Sequence, residues 1–174
     1  MGPTMAIILG VMVDKLLDGA LTSPPCSSWS RLRFRPGGPP PLRTRGRFAW
    51  GLPDLCGAHQ DRVAEANVLA VGAVACVETI STATGVGLLE HPEDPGVPPF
   101  PSRFATEVLQ GASRRIGGKF ASLDQGALGA PVPKGTTLWG TVYELESCDG
   151  IRDTRHPSLF MKERRDDTGG FMSR

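Results

Sequence analysis

The sequence predicts an α/β domain with a mainly parallel sheet, and three observations carry that expectation. Past an N-terminal helical stretch, the candidate elements run strand, helix, strand, helix, strand, strand, an order that favours parallel strands with helices packed on them. The two later helical stretches each carry apolar residues that need burial. Cys26, Glu90 and the pair Asp124–Gln125 fall at or just after predicted strand ends, where open parallel sheets form their ligand crevice.

The elements follow in chain order. Residues 5–18 place Ile8, Val11, Met12 and Leu16 near one helical face, and Gly19 stops the helix. Ala20 to Ser23 predicts a short strand end before Pro24 and Pro25. Gly37 to Pro41 (GGPPP) is a loop, since neither a helix nor a central strand tolerates it. Gln60 to Ala83 predicts a long helix, apolar around most of its circumference, with Asp61 as a cap and Gly85 as its break. Such a helix is either buried or lacks part of its cover.

Gly87 to Glu90, after Val86, predicts a short apolar strand, and 91–101 a proline-rich loop. Ser102 is the expected cap of a helix reaching about Ile116, with Phe104, Val108 and Leu109 inward. Lys119 to Leu123 predicts a strand, and Thr136 to Tyr143 (TTLWGTVY) another, rich in β-branched and aromatic residues. From Glu144 the chain is polar and aperiodic, so 1–143 is expected as the domain and 144–174 as a poorly ordered tail.

The chain's 174 residues suffice for one core. Its 22 Gly and 16 Pro predict long irregular connections. Net charge is +1, but the distribution is uneven: Arg31, Arg33, Arg35, Arg43, Arg45 and Arg47 fall between Ser27 and Pro53 with no acid among them. Such a run is either a solvated loop or a phosphate-binding patch. The cysteines at 26, 56, 76 and 148 suit neither a zinc site nor a disulfide framework. Reduced thiols point to an intracellular protein, nuclear or cytoplasmic. The apolar runs at 5–13 and 68–77 are too short for a membrane span. No metal site is expected.

Several short motifs add a resemblance. Pro24-Pro25-Cys26-Ser27-Ser28-Trp29-Ser30 resembles the Pro-Cys loop of the DNA cytosine-5 methyltransferases. Gly87-Leu88-Leu89-Glu90-His91-Pro92 is similar to their strand ending in Glu-Asn-Val, and residues 129–138 to their Gly-Val-Pro-Gln-x-Arg-x-Arg segment. A narrower resemblance is to a group of protist domains, dinoflagellate-type and associated with mobile elements. It rests on PPC-x-x-WS, Arg35-Pro36-Gly37-Gly38-Pro39, Trp50-Gly51-Leu52-Pro53 and Asp124-Gln125, and spans roughly Gly19 to Thr137.

The resemblance implies a partial Rossmann-like methyltransferase sheet, S-adenosylmethionine as cofactor if the domain is active, and DNA as partner. It implies Cys26 as the nucleophile that adds to cytosine C6, and Glu90 as the group that holds the base at N3 and the amino group. Arg31, Arg33, Arg35, Arg43 and Lys134 would bind phosphates while the base leaves the duplex. The family's glycine-rich cofactor loop should precede Cys26, but residues 1–25 hold no such pattern. Its asparagine is replaced by His91 and its glutamine by Val132. The expected function is therefore a truncated or degenerate methyltransferase-like domain, inactive alone. The alternatives are a non-enzymatic nucleic-acid-binding remnant that uses the arginine loop, and a chain without a selected function.

Overall fold

The computed structural model describes residues 10, 12, 14, 17–131 and 134–154. The fold is mixed α/β, built on one open four-stranded sheet. Its strands are β1 (Gly19–Thr22), β2 (Val86–Pro92), β3 (Lys119–Asp124) and β4 (Gly135–Gly140), arranged β1-β2-β4-β3. Helix α1 (Gly57–Thr82) links β1 to β2, and α2 (Glu107–Ile116) links β2 to β3.

The expected mainly parallel sheet is corrected here. Only β1 and β2 pair in parallel; β4 pairs antiparallel with both β2 and β3. The strand directions explain the difference. Both β2 and β3 oppose β4, so β1, β2 and β3 run the same way and only β4 is reversed. The two helical crossovers produce the three co-directional strands, as the alternation implied. The last strand returns without a helix and inserts between β2 and β3, which converts two of the three pairings.

Strand β4 holds the sheet's centre. Trp139 is fully buried in a core with Ala73, Val74 and Val77 of α1, Leu89 of β2, and Phe104, Leu109 and Ala112. Both helices therefore share one core on one sheet face and also touch each other. Gly140 lets β2 and β4 approach closely, because a Cβ there would stand 1.9 Å from Gly87 O. Gly87 does the same for α1: its Cβ would meet Val77 O at 2.8 Å.

Helix α1 has the length and apolarity of a membrane span, and half of that apolar window is buried inside the fold. Val68, Leu69 and Val71 remain exposed. The helix expected over 5–18 lies mostly outside the described residues; Met12, within them, packs on Cys76 and Ile80. The cap of helix α2 lies four residues beyond the expected one, at Thr106 rather than Ser102. Ser102, Arg103 and Phe104 instead form a buried approach to the helix.

The expected tail is ordered over its first part. Residues 145–148 form a 3-10 turn with Leu145 buried. The chain then lies along the outer edge of β3: Gly150 N donates to Ser122 O at 2.8 Å, and Asp124 N to Ile151 O at 2.8 Å. Ser122 N donates to Asp149 Oδ1 at 2.7 Å. A boundary at 143 would cut through this packed strap. Residues 155–174, the remainder of the expected tail, fall outside the described residues.

Candidate functional site

Because β1, β2 and β3 run the same way, their carboxyl ends share one edge of the sheet. Register places Thr22 opposite Leu89, so the chain leaving β1 passes directly beside Glu90. Ser23 Oγ donates to Glu90 Oε2 at 2.6 Å. Pro24 and Pro25 limit the backbone that follows. A turn closed by Trp29 N on Cys26 O at 2.9 Å then sets the half-buried cysteine.

A cavity of about 630 Å³ opens at this edge. Cys26, Trp29 and Arg31 line it from the loop after β1, His91 from β2, Asp124 from the end of β3, and Lys134 from the approach to β4. Glu90 stands beside it rather than in its lining. Lys134 Nζ donates to Glu90 Oε1 at 3.0 Å, Thr136 Oγ1 at 3.3 Å and Gln125 Nε2 at 3.4 Å. Burial pushes the Glu90 carboxyl up, but the hydrogen bonds from Ser23, Lys134 and Thr136, with the Lys134 charge, outweigh it and hold the group below the usual carboxylate range. Glu90 is thus an anion with both oxygens engaged. The expected Asp124–Gln125 pair also reaches the site: Gln125 bridges Glu90 and Thr136, and Asp124 Oδ1 accepts from Gly126 N and Lys134 N.

The arginine loop divides into struts and surface. Arg43 is fully buried. It donates to Ser28 Oγ at 3.1 Å, Ala49 O at 3.0 Å, Asn67 Oδ1 at 2.6 Å and Val63 O at 3.3 Å. Arg33 is buried too, donating to Ser27 O at 2.7 Å and Pro40 O at 2.8 Å. Arg33 and Arg43, both expected to bind phosphates, thus lie buried with donors that serve internal acceptors. Arg45 is paired with Asp94 through both terminal nitrogens. Arg31 reaches the cavity and Arg35 is exposed. Lys134, the remaining expected phosphate contact, is bound to Glu90, with 44% of its side chain exposed.

Two further residues complete the site. His91 is 3% exposed, edge-on to Trp29 and to Phe104. Burial, with Arg103 close by, holds its imidazole well below the ordinary histidine range, so it is neutral. Arg103 is 1% exposed. Its guanidinium lies 5.3 Å from the centre of the Trp29 ring, and its Nη2 donates to Pro25 O at 3.5 Å. Arg103 Nε and Nη1, Trp29 Nε1 and His91 Nε2 have no hydrogen-bond partner. Sequence reasoning missed Arg103, because a single base in the first turn of an expected helix carries no periodic or spacing signal.

Among the described residues no glycine-rich loop opens on this edge: β1 leads into Pro24-Pro25, β2 into Glu93-Asp94-Pro95, and β3 into Gln125. The residues present do not fit S-adenosylmethionine as that family holds it. No group of His, Cys, Asp and Glu among the described residues is placed to hold a metal ion. No family model, curated protein or solved structure matches the chain.

Proposed function

We propose that the chain is a truncated or degenerate S-adenosylmethionine-dependent cytosine methyltransferase-like domain. It keeps the base-handling half of that chemistry and does not transfer a methyl group alone. One observation carries the reading: Ser23, three residues before Cys26, hydrogen-bonds Glu90, at the edge where a cavity of about 630 Å³ opens beside Cys26. Three co-directional strands that bring Cys26, Glu90 and Asp124 to one edge support the finer reading of a partial Rossmann-like sheet.

In this reading the Cys26 sulfur adds to C6 of an extruded cytosine, and Glu90 accepts a hydrogen bond from the exocyclic amine. Both Glu90 oxygens are engaged, so a base must displace one donor. Lys134 is the one that yields, because its long side chain is 44% exposed and can swing aside. No step is routed through S-adenosylmethionine, for which the described residues offer no glycine-rich cradle. The arginine-loop alternative retains Arg31 and Arg35 but loses Arg33 and Arg43 to the interior.

Calorimetry with cytidine and uridine 5′-monophosphate tests the reading. Uridine presents an acceptor where cytidine presents an amine donor, so a carboxylate discriminates between them. Cytidine monophosphate is expected to bind more tightly, and Glu90→Gln to erase the preference. Equal affinity for the two nucleotides, or heat from neither, would sink the proposal. S-adenosylmethionine added to the chain alone is expected to release no heat.

A further inference from the structure

Around the Trp29 indole the interior holds two cations with no carboxylate bonded to either. Arg43 is 0% and Arg103 1% exposed. Their guanidinium carbons lie 4.3 and 5.3 Å from the centre of the Trp29 ring. Among the described residues neither forms an ion pair. Burial, with the repulsion of Arg103 acting on Arg43, lowers both to about 10, so both stay charged at neutral pH.

The two differ in what they bond. Arg43 gives its N–H groups to four neutral acceptors. Arg103 makes one long hydrogen bond, from Nη2 to Pro25 O at 3.5 Å, and its Nε and Nη1 have no partner. Trp29 Nε1 has none either, although Trp29 is 3% exposed. A buried donor without an acceptor costs its desolvation in full, and a buried cation without a counter-ion costs more. The carboxylates nearby are already taken: both Asp94 oxygens by Arg45, and both Glu90 oxygens by their donors. His91, edge-on to Trp29, is neutral and adds no charge there. Trp29 also lines the cavity, so an acceptor has a route to it.

We propose that Trp29 and Arg103 form an anion site in the inner wall of the cavity, built for one small oxyanion group, a phosphate or a carboxylate. Arg103 supplies the charge and its unpartnered donors, and Trp29 its indole N–H. Arg43, over the same ring, adds positive field without giving up its acceptors. The inference needs neither base binding nor methyl transfer, so it stands or falls apart from the nucleotide reading.

Titration of the full chain with sodium phosphate, and separately with sodium acetate, tests it, with ionic strength held constant by sodium chloride. The readout is the Trp29 indole N–H signal in nitrogen-15 NMR, assigned by its loss in Trp29→Phe. In the native chain the signal is expected to move and saturate, and the thermal midpoint to rise with it, since the anion binds the folded chain. The anion that acts at the lower concentration tells a phosphate site from a carboxylate site. Arg103→Met is expected to weaken binding by about tenfold or more. A native indole signal that neither anion moves, or that chloride moves equally, overturns the proposal without any variant. It is equally overturned if folded Arg103→Met binds as tightly as the native chain. Should Arg103→Met not fold, the native titration decides alone.

Discussion

At the scale of single residues, burial decides what the charged and polar groups can do. Arg43 and Arg35 look alike in the sequence, eight positions apart in one basic loop. One is sealed against Trp29 and four acceptors; the other faces water. Nothing in residue type or spacing separates them, because the distinction arises only when α1 supplies Asn67 and Val63 O. That Cys26 and Glu90 lie at one edge of the sheet was legible for the opposite reason: strand ends can be read from local pattern, and co-directional strands bring those ends together. His91 makes the same point through pH. Its folded form resists protonation, while the unfolded chain takes up a proton near pH 6.5. Stability is therefore unaffected above about pH 7 and falls as pH drops below about 6.5, by about 1 kcal/mol at pH 5.5. Glu90, Asp94 and Glu78, all held below the carboxylate range, do not titrate in that window. Urea midpoints at pH 7.5 and 5.5 should fall for the native chain and change less for His91→Phe. Equal losses would show that His91 is not the cause.

At the scale of elements, every strand and both α-helices with assigned bounds were visible in the sequence, but strand direction and the short 3-10 turns were not. Alternating β-branched and aromatic residues mark Thr136 to Gly140 as a strand equally well in either direction. What reverses β4 is the route of the chain: 125–128 form a 3-10 turn, and the described residues between β3 and β4 include no crossover helix. The insertion of β4 depends on Gly140, whose missing side chain admits Gly87 O. Gly140→Ala cannot keep that spacing and is expected to cost about 1–3 kcal/mol, measured by urea denaturation. A change within experimental error would mean that β2 and β4 are not packed as described. The start of α2 was misplaced because Ser102, a good cap by residue type, is drawn into the wall beside Arg103 and Asp94.

At the scale of the whole molecule, the described residues form a sheet with one covered and one open edge. The strap from 149 to 151 satisfies the outer edge of β3, although its polar, aperiodic sequence suggested a tail. Ending the chain at Tyr143 removes three hydrogen bonds and the buried Leu145. At about 1 kcal/mol for each bond, a loss of roughly 3 kcal/mol is expected, with a lower thermal midpoint. A shortened chain that melts with the full one would contradict the packing of this strap. At the other edge, β1 is terminal and Leu21 is exposed.

The whole account rests on Cys26 acting as a nucleophile on a cytosine that Glu90 holds. Its direct measure is exchange of the cytosine C5 hydrogen in a single-stranded oligonucleotide dissolved in D₂O, without S-adenosylmethionine. Addition of the sulfur at C6 makes C5 basic; C5 takes a deuteron, gives up its proton, and expels the sulfur. The native chain is predicted to exchange at least about tenfold faster than Cys26→Ser, with Glu90→Gln slowed as well. Exchange by the native chain no faster than by Cys26→Ser would contradict it.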